Sequence, residues 1–161
     1  WTEPAEWLGS HKAAKFPLHM ISSQPKTRLH SQMDCGPVAG STKVAGREPV
    51  AINPEDAAAR GISDGDLVRL FNDRGACLAG AVVTGDLMPG AIRLYTGAWY
   101  DPVDGGKPGS LDRHGNPNML TLDKGTSRLA QGPISQTALV EIEKFEGALP
   151  EITVFGQPLT A

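Results

Sequence analysis

The 161 residues include only two cysteines, Cys35 and Cys77. Two thiols close one disulfide at most; the sequence alone leaves that bond open, and since nothing marks a stapled secreted scaffold, two free thiols are favoured. No apolar run reaches the roughly 18 residues of a membrane-spanning helix, so no membrane insertion is expected. Basic residues are not in excess: 15 Lys and Arg stand against 18 Asp and Glu, for a formal net charge of −3. That balance argues against nucleic acid as a partner, which needs a basic footprint. The histidines His11, His19, His30 and His114 lack H-E-x-x-H or similar spacing, and no cysteine cluster accompanies them, so no zinc site is expected. There is no G-x-S-x-G elbow for acyl transfer and no G-x-x-x-x-G-K-[ST] loop for nucleotide hydrolysis. Asp64 with Asp66, and Asp101 with Asp104, lie in turn sequences and read as solvated carboxylates rather than an acid–base pair. No signal-peptide pattern opens the chain, and Trp1 in place of methionine suggests a processed chain or an excised fragment.

What the chain does have is turn chemistry. Nineteen glycines and 13 prolines, without a collagen period or a fixed internal repeat, imply many short elements. Short apolar or alternating runs fall at Phe16 to Ile21, Val50 to Ile52, Leu67 to Phe71, Ala76 to Thr84, Ala91 to Thr96 and Thr137 to Lys144. Each reads as a strand, with Ala76 to Thr84 buried on both faces over part of its length. Leu120 to Leu122 adds a brief strand. Asn72-Asp73-Arg74-Gly75 is a hairpin turn with Gly75 suited to a left-handed position. Met33 to Gly46 is irregular. Gly97 to Asn118 is a long Gly- and Pro-rich loop, and such loops are usually functional or disordered. Residues 1–15 lead in, with Trp7-Leu8 available to pack on the body. Residues 147–161 form a tail in which Ile152 to Phe155 makes an edge strand or packs on the surface.

The best-determined stretch is Val50 to Leu70. Asn53 is an N-cap, Pro54 fits the first helical position, and Glu55 and Asp56 complement the helix dipole. Ala57-Ala58-Ala59 favours helix, Gly61 ends it, and Asp64-Gly65 turns into the next strand.

Three stretches concentrate polar side chains, and each has two readings. Ser22 to Ser31 carries Gln24, Lys26, Thr27, Arg28 and His30. It is either a solvated loop or a ligand loop in which Arg28 and Lys26 pair with phosphate. Asn53 and Asp56 cap a helix and, compatibly, face a base edge. Asp123 to Gln131 is either a β-turn loop or a donor of backbone amides and hydroxyls from Gly125-Thr126-Ser127.

Ile52 to Ile62, Asp64 to Val68 and Asn72 to Gly75 together resemble the C-terminal domain of molybdopterin oxidoreductases. Ser22-Ser23-Gln24-Pro25 with Arg28 to Gln32, and Asn118 to Gly132, are similar to the dimethyl sulfoxide, trimethylamine N-oxide and biotin sulfoxide reductase branch. The match runs from about Phe16 to Glu143. It implies a mostly β fold, a six-stranded double-psi β-barrel with one or two short helices, over residues 16–146.

The resemblance also implies a cofactor, bis-(molybdopterin guanine dinucleotide) with molybdenum, in a larger parent enzyme. Ser22, Gln24, Arg28, His30 and Ser31 would meet a pterin or its phosphates. Asn53 and Asp56 would lie near a guanine as a third wall of the same site. Asn118, Asp123, Ser127 and Gln131 would meet a pterin or the dinucleotide. The metal ligand and the substrate funnel would come from upstream domains of the same chain, the expected partners, so the domain alone would not reduce an S- or N-oxide. The compartment stays open between bacterial periplasm and cytoplasm, since a targeting segment would lie upstream. The alternative is a standalone double-psi barrel that recognises a protein or ligand.

Overall fold

The computed structural model describes residues 3–156. Trp1, Thr2 and residues 157–161 of the expected tail lie outside the described residues. Alternating burial builds the strands. Leu18 and Met20 of β1 (Leu18–Ile21) point into the core, as do Val68 and Leu70 of β3 (Leu67–Phe71). Val50 and Ile52 of β2 (Pro49–Ile52), Ile92 and Leu94 of β5 (Ala91–Leu94), and Val140 and Ile142 of β7 (Ala138–Lys144) join the same cluster. Burying each such side chain stabilises the fold by roughly 1.5–3 kcal/mol before chain entropy is counted. β4 (Ala76–Val83) is buried on both faces through its first six residues, as expected.

The strands pair in the order β2-β5-β1-β7-β3-β4, and β4 pairs back to β2, which closes a six-stranded barrel. A two-residue strand, β6 (Leu111–Asp112), adds to β4 from outside the closed ring. Within the ring, β1 with β5 and β2 with β4 are parallel, and the other pairs are antiparallel. Sending β1 to β4, β2 to β5 and β3 to β7 maps every barrel pairing onto another or onto itself. This pseudo-twofold arrangement is the expected double-psi barrel, although the two halves share no repeat in sequence.

Two short helices decorate the barrel, α1 (Pro37–Gly40) and α2 (Pro54–Ala58). The Asn53 side chain accepts the Glu55 amide at 2.8 Å, Pro54 opens α2, and Gly61 turns left-handed at φ +63°. α1 interrupts a segment read from sequence as wholly irregular. Among the described residues no helix is long and apolar enough to cross a membrane. Cys35 is exposed and Cys77 buried, both free.

Several local expectations are corrected. Leu120 to Leu122 is not a strand. Leu120 follows the 3-10 turn Pro117–Met119, and its carbonyl accepts from Asn72 and Arg74 instead of a sheet neighbour. Gly75 is not left-handed; a Cβ there would sit 3.1 Å from the Met119 carbonyl, so close approach is what favours glycine. Trp7 and Leu8 stay 39% and 43% exposed. The anchor of the lead-in is Glu6, which is 1% exposed and holds Arg74 through both oxygens, at 2.7 and 3.0 Å. Ile152 to Phe155 forms no strand and packs on the surface, the second of the two expected outcomes.

Candidate functional site

Strand direction decides which loops share a barrel end. His19 pairs with Ala91 and Ile21 with Arg93 in parallel, while β7 runs against β1, with Met20 opposite Ala138. The segments after β1, after β5 and before β7 therefore emerge at one end. They are the loops 22–31, 95–118 and 123–137. β2 is antiparallel to β5, with Ile52 opposite Ile92, so α2 leaves at the other end.

Two clefts open at the first end. The smaller has a volume of about 420 Å³ and lies between His30, Ser31, the segment Thr96 to Tyr100, Asn116 and Asn118. The larger, about 1110 Å³, lies between residues 3–5 and the loop Lys124 to Thr137, with Ser127, Arg128 and Gln131 on its wall. The structure thus brings His30, Ser31 and Asn118 together in one cleft, and Ser127 with Gln131 in the other. Asp123 is exposed beside the second.

The wall of the smaller cleft rests on a buried charge quartet. Arg28 lies 3.5 Å from Asp34 and 3.1 Å from Glu48, and Lys43 bonds both carboxylates at 2.8 and 3.1 Å. None of these side chains is more than 4% exposed. Arg28 also donates to the carbonyls of His30 and Thr96. Its guanidinium therefore faces inward, tying the first loop to the segment after β5. Asp34 accepts the Trp99 amide at 2.9 Å, and Trp99 Nε1 donates to the Ser31 carbonyl at 2.6 Å. Burial alone would raise the Asp34 carboxyl, but bonds from Lys43 and the Trp99 amide outweigh it and hold it below the usual range. His114, fully buried behind this wall, is pushed below the ordinary imidazole range by burial and by the Lys43 charge. Gly97 is left-handed at φ +94°, and any Cβ there would strike the His30 carbonyl. His30 itself adopts φ +49°.

The long loop 97–118 is built around Asp112, which is fully buried. Its Oδ1 accepts the amides of His114, Gly115 and Asn116, and its Oδ2 accepts that of Asp101. This carboxylate, Glu6 and the quartet partners Asp34, Lys43 and Glu48 were not singled out from sequence. Glu6 finds its partners 68 and 133 residues away, whereas Asp112 folds its own loop around itself and Lys43 reaches Glu48 five residues on, in patterns that no spacing motif marks. Gln136 belongs with them. It brackets Ser22, donating to the Ser22 carbonyl at 2.6 Å and accepting its amide at 2.9 Å, and so joins the first loop to the third.

The remaining sequence candidates are engaged within the protein. Gln24 donates to the Arg28 carbonyl at 2.6 Å. Asn53 donates to Leu87 at 2.6 Å as well as capping α2. Asp56 accepts the Gly90 amide at 2.7 Å and faces Arg60 at 3.6 Å. Asn53 and Asp56 thus fasten the turn 86–90 to α2 at the opposite end of the barrel, and the register separates them from both clefts. Among the described residues no cluster of three His, Cys, Asp or Glu groups is arranged to hold a metal.

Residues 18–139 match the model of the molydopterin dinucleotide binding domain. The dimethyl sulfoxide/trimethylamine N-oxide reductase of Cereibacter sphaeroides is 54% identical over 98% of this chain, which spans 19% of that protein. The trimethylamine-N-oxide reductase 1 of Escherichia coli K12 is 52% identical over 95% of the chain, which spans 18% of it. Among solved structures, acetylene hydratase from Pelobacter acetylenicus superimposes on 90% of the chain with a TM-score of 0.71 at 17% identity, and the shared part is 21% of that protein. That last likeness is one of fold. The family match covers most of the barrel, and on it the chain belongs to the molydopterin dinucleotide binding domain family.

Proposed function

We propose that this chain is the cofactor-binding C-terminal domain of a molybdenum reductase acting on S- or N-oxides. Its cofactor would be bis-(molybdopterin guanine dinucleotide). The carrying observation is that two clefts with polar side chains on their walls open at one barrel end, between the three loops that follow β1, follow β5 and precede β7. The donor set suits such a group. Ser31 and Asn118 offer a hydroxyl and an amide to a pterin edge, and Lys124 and Arg128 offer cations to phosphates, while Ser127 and Gln131 bond within their own loop and shape it. Ser22, Gln24 and Arg28 contribute through the loop they shape, and Asp123 at the rim. Asn53 and Asp56 drop out of this proposed site, because their polar groups are engaged at the far end.

When bound, the cofactor would supply oxygen-atom transfer at molybdenum. The chain's own part is to bind, orient and shield one side of it. The metal ligand and the substrate funnel would come from the remaining four-fifths or so of the parent, as judged from the share of the relatives covered. The whole-chain likeness to oxide reductases favours this reading over a standalone recognition barrel.

The test uses the intact parent enzyme. Purified protein should carry molybdenum and a pair of guanine nucleotides per metal, measured by elemental mass spectrometry and by nucleotide release in acid. Asn118→Ala and Lys124→Glu should lower both contents while the unfolding midpoint of the cofactor-free protein stays put. A parent that holds neither molybdenum nor guanine nucleotide would end the reading.

A further inference from the structure

β7 finishes at the α2 end of the barrel, with Lys144 opposite Val68. Residues 145–155 then return the whole height of the barrel to the cleft end. The return is fastened at defined points. Arg47 donates to the Pro150 carbonyl at 2.6 Å, and the Thr153 amide and hydroxyl donate to the two oxygens of Asp101 at 2.7 and 2.6 Å. The Val154 amide adds a weaker bond to the same carboxylate at 3.3 Å. Asp101 is 3% exposed, and Arg113 is its other partner, at 3.0 Å. The segment ends on Phe155, whose ring lies 5.5 Å from that of Trp99 and stands edge-on to His114 at 4.9 Å. Trp99 is the cleft residue that donates to the Ser31 carbonyl, and its own carbonyl faces His114 Nδ1 at 3.2 Å.

We propose that residues 150–155 are a strap that holds the Trp99 wall of the smaller cleft in its binding geometry, with Phe155 as the wedge and Thr153 as the fastening. Both are positioning residues that act through Trp99 and Asp101. The physical reason is the loop's own weakness. The segment Gly97 to Tyr100 belongs to no strand, and its glycine is left-handed. Its tryptophan is held from the front by one carbonyl and from behind by an aromatic ring and a buried carboxylate network. Without the ring behind it, the indole gains room to turn away from Ser31, and the cleft loses one side. The strap thus links the last described residues of the chain to a cleft on the far side of the barrel from where β7 ends.

This inference rests on the cofactor reading of the cleft, and the experiment separates the two. In the intact parent enzyme, Phe155→Ala, Phe155→Tyr and Thr153→Val are compared with Ile62→Ala. Ile62 is buried near α2, so its truncation weakens the barrel at the opposite end. The readout is the rate at which guanine nucleotide and molybdenum are lost on gel filtration, set beside the unfolding midpoint. Phe155→Ala and Thr153→Val should release the cofactor roughly three- to tenfold faster than wild type, the scale of one aromatic pair or one part-buried hydrogen bond. Phe155→Tyr should restore wild-type retention, and Ile62→Ala should keep the cofactor despite a lower midpoint. If release follows the midpoint alone across all four variants, or if both strap variants retain cofactor as wild type does, the strap role is wrong while the cofactor reading stands. A wild-type enzyme without cofactor would sink both.

Discussion

Glu6 shows how much one side chain can decide. It sits in a segment read from sequence only as a lead-in, yet it is more buried than any carboxylate expected to be functional. Burial would raise its pKa, but hydrogen bonds from Arg74, Lys12 and the Leu139 amide outweigh that and hold it at about 2, against 4.5 ordinarily. Because the folded value is the lower one, its stabilisation is complete above about pH 4.5 and is lost as pH falls toward about 2. It amounts to on the order of 3 kcal/mol. Asp34 and Asp101 shift the same way, so acid unfolding should be steep in that window. In acid titrations followed by circular dichroism, Glu6→Gln should lower stability at pH 7 and flatten the profile below pH 4.5; an unchanged profile would refute the assignment. Arg28→Met tests the quartet. It removes one of the two cationic side chains, Arg28 and Lys43, that bridge Asp34 and Glu48, and should cost roughly 3–5 kcal/mol in urea unfolding, as for other buried pairs broken on one side. The thiols make a third case. Cys35 should react at once with a thiol reagent, and Cys77, its thiol pushed up by burial, only after unfolding.

At the scale of elements, α2 and the cleft loops separate cleanly. Asn53→Ala removes the cap of α2 and the bond to Leu87, and should cost about 1–2 kcal/mol. Cofactor content of the parent should be unaffected, since α2 lies at the other end; a large loss would restore Asn53 to the site. Gly97→Ala should do the reverse. The substitution forces a left-handed alanine against the His30 carbonyl, so the first loop must move from the segment after β5, and cofactor content should fall more than stability. Much at this scale was legible in the sequence. Alternation located β1, β3, β5 and β7 to within two residues at each end, because one face of each packs into the barrel core. Leu120 to Leu122 misled, since three apolar-rich residues carry no period and tertiary hydrogen bonds to the Leu120 carbonyl decided the matter.

For the whole molecule, the residues themselves determined the six barrel strands, the capped turn of α2 and, through family-like motifs, the kind of barrel. These rest on interactions between near neighbours, or on patterns that burial imposes along a single strand. The position of each polar loop was decided only by closure of the barrel. Parallel pairing of β1 with β5 sends Ser22 to Ser31 and the segment after Leu94 to one end, and antiparallel pairing of β2 with β5 sends Asn53 to the other. Whether a given carboxylate or guanidinium faces solvent or a buried partner was equally beyond local reading. The partners of Arg28, Glu6 and Asp101 lie up to 133 residues away along the chain, and a charge has no periodicity that reveals its counter-ion. Local chemistry chose the elements, and long-range pairing chose which of their polar ends meet.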